Sequence, residues 1–291
     1  MVSCDLSVIG NANVDLIALL DDLPSLDEGR ECKEWLLLPG GSGSNVSVVA
    51  TGLGCNVRLY AAIGNGVFSK IIENELFKVG VKLEAVRKEG EQSIVFIAST
   101  PKGKVMYSLK GVSHLLTPSD LPAHVNSQLL HVATKEPSFV VKYLKKVPVS
   151  YSPGSFTFHK KKEIEGVVPE LHFLFLNEPE AVHLDAFSLP LPRVALVVTR
   201  GEKGSIVVTN ERVIEFKALK VEEVVDTTGA GDAYAAAFLA TYLQRGDLIE
   251  AGKVATAAGA LAVKNLGGFL KVNKREIEEL SEAVEYVIRD R

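Results

Sequence analysis

The sequence has few cysteines and no long apolar run. Among its 291 residues there are 3 Cys, at Cys4, Cys32 and Cys55. They lie far apart, and no Cys-x-x-Cys pair indicates a metal or redox site. We therefore expect all of them to behave as small buried apolar side chains. No segment approaches the roughly 20 apolar residues that a membrane helix needs, so we expect no membrane partner.

A strong excess of one charge is also missing. The formal net charge is -4 at pH 7, and acidic and basic residues are mixed along the chain. Because nucleic-acid binding usually requires a basic stripe, we expect no nucleic-acid partner. The first residues carry Asp5 and no basic region, which is unlike a secretory signal. We therefore expect a cytoplasmic protein.

Strand and helix patterns alternate in the first part of the chain. Apolar, β-rich runs at 6–9 and 56–64 predict strands. A helix is predicted at about 45–54, where it ends in glycines, and another at 67–80, where apolar residues recur at helical spacing. This β-α-β-α order predicts an α/β fold with a mostly parallel sheet.

The middle of the sequence departs from this alternation. Residues 93–111 contain two β-rich runs around a Pro-Lys-Gly-Lys turn and predict a hairpin. Together with residues 31–38 it is expected to form a small β layer outside the main sheet. Alternation then resumes, and no linker or repeat is found. We therefore predict a single domain over 1–291 with an inserted β flap.

The end of the chain is predicted to be helical. Helices are expected at 232–245, at about 248–265 and at about 274–289. The last segment interleaves Glu and Lys with apolar residues at helical spacing, which predicts an amphipathic surface helix.

A Gly-Ala-Gly-Asp sequence stands where the first of these helices begins. The first amides of a helix lack internal partners, and together with the helix dipole they form an anion site. Gly229 and Gly231 let the backbone approach that anion, with Ala230 between them. Asp232 is expected to be ionised, so it could accept a proton from a hydroxyl while the amides stabilise a phosphoryl group. Alternatively, Asp232 only caps the helix.

Two polar clusters near the start of the chain could bind a polyol. Gly40 and Gly41 precede Asn45 in a glycine-rich turn that is neither a dinucleotide fingerprint nor a P-loop. Its backbone could approach a sugar while Asn45 offers a donor and an acceptor. Asn13 and Asp15 follow the first strand and could accept hydrogen bonds from sugar hydroxyls. A flexible loop and an ordinary Asn/Asp turn are the structural alternatives.

Two further clusters follow apolar strands in the second half. Asn177 and Glu180 offer oxygen ligands that suit Mg²⁺, although a helix with Glu in its first turn explains them equally well. Thr199, Gly201 and Gly204 link two strands, and this turn could contact a nucleotide or be an ordinary hairpin turn.

Taken in order, these motifs resemble the ribokinase/PfkB family of carbohydrate and nucleoside kinases. The Asp226-Thr-Thr-Gly-Ala-Gly-Asp232 block is the most specific of them, and the resemblance extends over about 8–268. It implies a three-layer αβα sandwich on a mostly parallel sheet. It also implies a β lid over the acceptor sugar, formed by about 12–40 and 90–112.

The resemblance also implies roles for the motif residues. Asp232 would be the general base, and the anion hole for the γ-phosphate would consist of Gly229, Ala230 and Gly231. The acceptor would be held by Asn13, Asp15, Gly40, Gly41 and Asn45. The ATP site would include Asn177, Thr199, Gly201, Gly204 and Thr256. Mg²⁺ would be organised through water by Asn177 and Glu180. Asp226 and Thr228 match positions that help bind a monovalent cation such as K⁺ in some relatives.

Departures from the family pattern fall on the acceptor side. Asn65 follows Ala-Ala-Ile-Gly where relatives usually carry Asp, and the lid lacks the usual Gly-Ala-Asn. These departures bear on the identity of the acceptor and not on phosphoryl transfer. The leading hypothesis is an ATP-dependent sugar kinase, and the alternative is a nucleoside kinase with Trp35 and Phe96 stacked on a base. A non-catalytic sensor is a hypothesis from another class. The lid could also pair with a second copy, giving a homodimer.

Overall fold

The computed structural model describes residues 4–291 and has two β-sheets. The strands are β1 (Asp5–Ile9), β2 (Asn13–Leu19), β3 (Glu34–Gly40), β4 (Asn56–Ile63), β5 (Lys82–Arg87), β6 (Ile94–Thr100), β7 (Gly103–Leu109), β8 (Leu129–Ala133), β9 (Val149–Ser152), β10 (Phe173–Asn177), β11 (Ala195–Thr199), β12 (Ser205–Val208), β13 (Arg212–Phe216) and β14 (Tyr286–Asp290). The α-helices are α1 (Ser42–Gly52), α2 (Val67–Lys78), α3 (Pro137–Val141), α4 (Lys161–Val167), α5 (Glu178–Leu184), α6 (Ala230–Arg245), α7 (Leu248–Ala262) and α8 (Lys274–Ser281).

The large sheet has ten strands in the order β14-β13-β12-β11-β10-β9-β8-β1-β4-β5. In this order, the strands from β11 to the far edge at β5 are all parallel to one another. At the other edge, β12, β13 and β14 pair in antiparallel fashion. The central strands are mostly apolar and are buried except at the carboxyl ends of β10 and β11, because helices cover both faces of the sheet. One apolar core packs against α1, α2, α6, α7 and α8, and the other against α3, α4 and α5. The three-layer αβα architecture is therefore confirmed.

The small sheet has four strands in the order β3-β2-β6-β7. Strands β2 and β6 are parallel, and the outer pairs are antiparallel. Its strands come from the two segments predicted to form a lid. Successive side chains of a strand alternate between the faces of a sheet. The pairing puts Asp15, Ile17, Ile97 and Lys104 on one face, called the inner face here. Phe96 and its cross-strand partners, Leu16 and Tyr107, lie on the outer face.

The predicted C-terminal helix is wrong in its second half. Helix α8 ends at Ser281, and Tyr286–Asp290 forms β14, which pairs antiparallel with β13. Residues 286–288 are Tyr, Val and Ile, which favour strands. The exposed edge of β13 supplies hydrogen-bond partners that a local helical pattern does not reveal.

The cysteine prediction is also corrected. Cys4 and Cys55 are buried, as expected, but they form a disulfide, and Cys32 is exposed. Each paired cysteine directly precedes a strand, and the register of β1 and β4 aligns Asp5 with Asn56. The sheet therefore brings together two residues that are 51 positions apart. Within residues 4–291, no helix combines the length and apolar character that crossing a bilayer requires.

Candidate active site

The Gly-Ala-Gly-Asp sequence forms the N-terminus of α6, two residues earlier than predicted. Gly229 is the N-cap residue, in the left-handed region with φ 75° and ψ 0°. A Cβ there would lie 2.5 Å from the Cα of Gly268, so only glycine fits. Among the described residues no side chain caps this helix. The Ala230 amide donates to the Thr227 carbonyl at 3.3 Å, and the neighbouring Gly229 and Gly231 amides are available to an anion.

The carboxylate of Asp232 lies in the first turn of α6 and faces a cavity of about 200 Å³. Its Oδ2 accepts a hydrogen bond of 2.9 Å from Nδ2 of Asn45, on α1. Burial raises the pKa of Asp232 to about 7, against the effect of the Asn45 hydrogen bond and with a contribution from the charge of Glu180. The expectation of a fully ionised carboxylate is therefore corrected, because burial brings its pKa close to neutral pH.

Asn177 and Glu180 line the same cavity at the start of α5. Oδ1 of Asn177 accepts from the Glu180 amide at 2.9 Å, and Oε2 of Glu180 accepts from the Asn177 amide at 3.0 Å. This reciprocal pair is a capping box, so the structural alternative is realised. Burial raises the pKa of Glu180 against the hydrogen bonds from Asn177. Within residues 4–291 no group of three or more His, Cys, Asp or Glu side chains could hold a metal.

A larger cavity of about 560 Å³ adjoins the first, and Thr199 and Gly231 line both. The predicted nucleotide residues Thr199, Gly201, Gly204 and Thr256 all line it. Asn177 does not line it and lies instead beside Asp232. The turn between β11 and β12 is therefore part of the wall of this cavity.

Much of the wall of this larger cavity was not predicted from the sequence. Apolar and glycine residues from two segments contribute to it, the loop that precedes α6 and the end of α7; they are Ala218, Leu219, Val221, Val224, Gly259, Ala260 and Val263. They carry no polar motif, and only the packing of α6 against α7 and the preceding loop brings them together. Oγ1 of Thr256 donates to the Gly252 carbonyl at 2.8 Å, so this hydroxyl proton already has a partner.

The glycine-rich turn allows the Asp15 side chain and the Asn11 backbone to approach it closely. Strand pairing aligns Asn13 with Gly40, and a Cβ on Gly40 would lie 2.3 Å from Oδ2 of Asp15. Gly41 has φ 87°, and a Cβ there would lie 2.6 Å from the Asn11 carbonyl oxygen. Asn13 and Asp15 are therefore held beside this turn by β2 of the small sheet, not by the mouth of the large sheet.

Three buried amide oxygens near this turn have no hydrogen-bond partner among the described residues. They are the Oδ1 atoms of Asn11, Asn13 and Asn45. A buried acceptor without a donor costs about 1–3 kcal/mol, so these atoms suit a ligand rich in donors. Asn11 was not predicted; its position two residues before Asn13 was the available signal.

Asp226 and Thr228 are also brought together, with Lys104 of β7 beside them. The Lys104 ammonium donates to Oδ1 of Asp226 at 2.6 Å and to Oγ1 of Thr228 at 2.7 Å. Nearby, burial and then the charge of Asp226 raise the pKa of Asp15 to about 6, and Lys104 opposes them. No local pattern in the sequence indicates this lysine, because its partners lie more than a hundred residues away.

The two aromatic residues suggested for stacking on a base lie on the outer face. Trp35 is aligned with Ala18, and Phe96 with Leu16, whereas Asp15 lies on the inner face. A ligand bound against Asp15 within the same chain would therefore not reach either ring.

Comparison with known proteins places this geometry in a family. The profile described as pfkB family carbohydrate kinase matches residues 4–275. A protein named nucleoside kinase from Methanocaldococcus jannaschii is 27% identical over 277 residues, covering 90% of this chain and 91% of the relative. A ribokinase from Bacillus subtilis is 26% identical over 292 residues, covering 95% and 99%. The crystal structure of the Methanocaldococcus jannaschii nucleoside kinase, described as an archaeal member of the ribokinase family, superposes with a TM-score of 0.85 at 26% identity, covering 97% of this chain and 99% of that one. The chain therefore belongs to the pfkB family of carbohydrate kinases.

Proposed function

We propose that this kinase transfers the γ-phosphate of ATP to a hydroxyl group of a small sugar, with Asp232 as the general base. The observation that carries the proposal is the meeting of the Asp232 carboxylate with the uncapped amides of α6, where the two cavities adjoin. A base with a pKa near the working pH is well matched to accepting a hydroxyl proton. Phosphoryl transfer requires alignment and charge stabilisation more than covalent chemistry.

The acceptor is assigned to the region beside Asn45. The unpaired oxygens of Asn11, Asn13 and Asn45 and the carboxylate of Asp15 are all acceptors of hydrogen bonds. A sugar ring offers several hydroxyl donors, so it could satisfy these atoms together. Gly40 and Gly41 keep the backbone close enough for this contact.

ATP is assigned to the larger cavity. Its apolar wall, with Thr256 on α7, suits a nucleobase, and the turn with Thr199, Gly201 and Gly204 suits the sugar and the phosphates. The γ-phosphate would then reach the amides of Gly229, Ala230 and Gly231, whose positive dipole end favours an anion.

Asn177 and Glu180 would hold Mg²⁺ together with water and the phosphates. Both residues supply oxygen ligands, which suit Mg²⁺. Glu180 also lies close enough to Asp232 for its charge to raise the pKa of the Asp232 carboxyl group. Mg²⁺ bound there would neutralise developing phosphate charge. A K⁺ requirement at Asp226 and Thr228 is not part of the proposal, because Lys104 lies within hydrogen-bond distance of both.

A nucleoside acceptor is the second candidate. The inner face of the small sheet is apolar around Asp15, and Ile17 and Ile97 on it are buried. Because both side chains are already packed within the chain, the support for a nucleoside acceptor comes from relatives. Two archaeal relatives named nucleoside kinase are 27% and 28% identical to this chain.

The two candidates are separated by a substrate panel. ATP consumption is measured with ribose, fructose, adenosine and cytidine in the presence of Mg²⁺, and products are identified by mass spectrometry. We expect one new phosphomonoester that the Asp232→Asn variant does not form. Acceptor binding by calorimetry without product from any compound would contradict the proposal and favour a non-catalytic sensor.

We also propose that the small sheet, which comes from residues 12–40 and 90–112, closes over the acceptor as a lid and pairs with a second copy. On the outer face Trp35 is 63% exposed and Tyr107 57% exposed, which favours burial against another apolar surface. Sedimentation of the native protein should show a dimer, and Tyr107→Glu should shift it towards monomer. A native monomer at micromolar concentration would contradict the pairing. The cytoplasmic location stays a prediction.

A further inference from the structure

Lys104 connects the small sheet to the segment that leads into α6. Strand β7 is the outermost strand of that sheet, and Lys104 is its second residue. Its ammonium donates to Asp226 and Thr228, which directly precede Gly229–Gly231, called the glycine turn here, at the N-terminus of α6. The Lys104 side chain is 30% exposed and that of Asp226 only 4%, so this ion pair is screened from solvent far better than a surface pair.

Asp226 is the centre from which this segment is held. Its Oδ1 also accepts from the amide and hydroxyl of Thr228, and its Oδ2 accepts from the Gly267 amide at 3.1 Å. Burial raises the pKa of Asp226, but the hydrogen bonds from Lys104, Thr228 and Gly267 together hold it below its usual value. The carboxylate therefore stays charged and keeps the segment in one conformation.

The anchored segment lies between the larger cavity and Lys104. Thr227 lines the larger cavity, whereas Asp226 and Thr228 on either side of it face Lys104. Gly268 follows the anchored Gly267 and packs directly under Gly229, the N-cap of α6. A change at Asp226 would therefore move the amides that face the anion.

Lys104 also compensates two carboxylates at once. Asp15 and Asp226 are close enough for the charge of Asp226 to raise the pKa of Asp15, and Lys104 lowers it. Without the ammonium, two buried negative charges would face each other across the boundary between the small sheet and the main body. Such a repulsion would favour separation of the small sheet from the main body.

We propose that Lys104 is a positioning residue that couples closure of the small sheet over the acceptor to the conformation of the glycine turn. The inference rests on the proposed kinase function for its consequence, but its geometry does not depend on the acceptor. When the β6–β7 hairpin closes, Lys104 reaches Asp226 and fixes the amides that receive the γ-phosphate. When the hairpin opens, that contact is lost, so the turn is fixed only while the hairpin is closed.

The kinetic test uses three lysine variants. Lys104→Met removes the charge at similar length, Lys104→Arg keeps it, and Lys102→Met is the control. Lys102 lies in the same hairpin and pairs with Asp22 in an exposed ion pair. We expect Lys104→Met to lower kcat/KM for ribose or adenosine at least about tenfold, as loss of a hydrogen bond between charged groups would. Lys104→Arg should restore most of the loss, and Lys102→Met should leave kcat/KM unchanged.

Hydrogen–deuterium exchange tests the coupling without any turnover. In the ligand-free protein, Lys104→Met should exchange faster than Lys102→Met in two separate peptides, 94–109 and 226–232. Faster exchange in the hairpin alone would overturn the coupling, and identical exchange in the two variants would overturn the proposal. Since no acceptor is used, this measurement decides the inference even if every acceptor in the panel fails.

Discussion

Replacing Asp232 by Asn should make the protein more stable at high pH while nearly abolishing turnover. Asn has the same shape, and its amide oxygen can still accept the hydrogen bond from Asn45. It cannot take a proton from the acceptor hydroxyl. We therefore expect turnover to fall by at least about 10²-fold, the usual minimum for loss of a general base.

The stability gain follows from the pKa of the native carboxyl group. Burial raises the pKa of Asp232 from 3.8 to about 7, so between these values the folded state binds more protons than the unfolded state. Wild-type stability attributable to this group is complete below pH 4 and is lost as the pH rises through about 7. One pKa unit corresponds to about 1.4 kcal/mol, so ionised Asp232 lowers the free energy of unfolding by at most about 4 kcal/mol. Partial contact with solvent reduces it, and about 1–3 kcal/mol is expected.

Thermal unfolding between pH 5 and pH 8.5, without nucleotide or Mg²⁺, measures this effect. The advantage of the Asn variant should grow up to about pH 7 and then level off, because the carboxyl group is then fully ionised in both states. At about 2 °C per kcal/mol, the variant should melt a few degrees higher at pH 8.5.

A matched control and two outcomes make this prediction refutable. Asp290→Asn changes an exposed carboxylate at the end of β14 and should produce neither effect. An advantage that does not vary with pH, or a less stable Asn variant at pH 8.5, would show that Asp232 is not held in a desolvated site. Near-normal turnover would remove Asp232 from the role of base.

Other perturbations test the nucleotide cavity, the disulfide and the pH profile. Gly259→Ile should fold, since a Cβ there meets nothing closer than 3.9 Å. By filling the cavity it should raise KM for ATP at least about tenfold, whereas Gly259→Ala should not. An unchanged KM for the Ile variant would show that ATP binds elsewhere. Reducing the Cys4–Cys55 bond should lower the free energy of unfolding by up to about 4 kcal/mol, from its sequence separation of 51 residues, as measured by denaturant titration; unchanged stability after confirmed reduction would count against this. The value of kcat/KM for the acceptor should decline as the pH falls below about 7, because Asp232 becomes protonated; a flat profile to pH 5 would contradict this.

The order of strands and helices was largely predictable because it is written in local patterns. Strands such as β8 and β10 are covered on both faces, so they read as short apolar runs. The start of α6 was predicted to within two residues, since glycines followed by good helix formers indicate a helix N-terminus. β14 was missed because its helical pattern is local, whereas its strand partner, β13, lies some seventy residues earlier.

The sequence by itself determined the chemical groups of this protein: the helix that presents free amides, the carboxylate within its first turn, and the alternation that makes a parallel sheet. Each depends on interactions within a few residues. Only the tertiary structure decided which groups meet, including Asn45 with Asp232, Lys104 with Asp226, and Cys4 with Cys55. Such contacts depend on strand order and register, which are set by burying all the apolar faces at once and so cannot be assigned to any single segment of the chain.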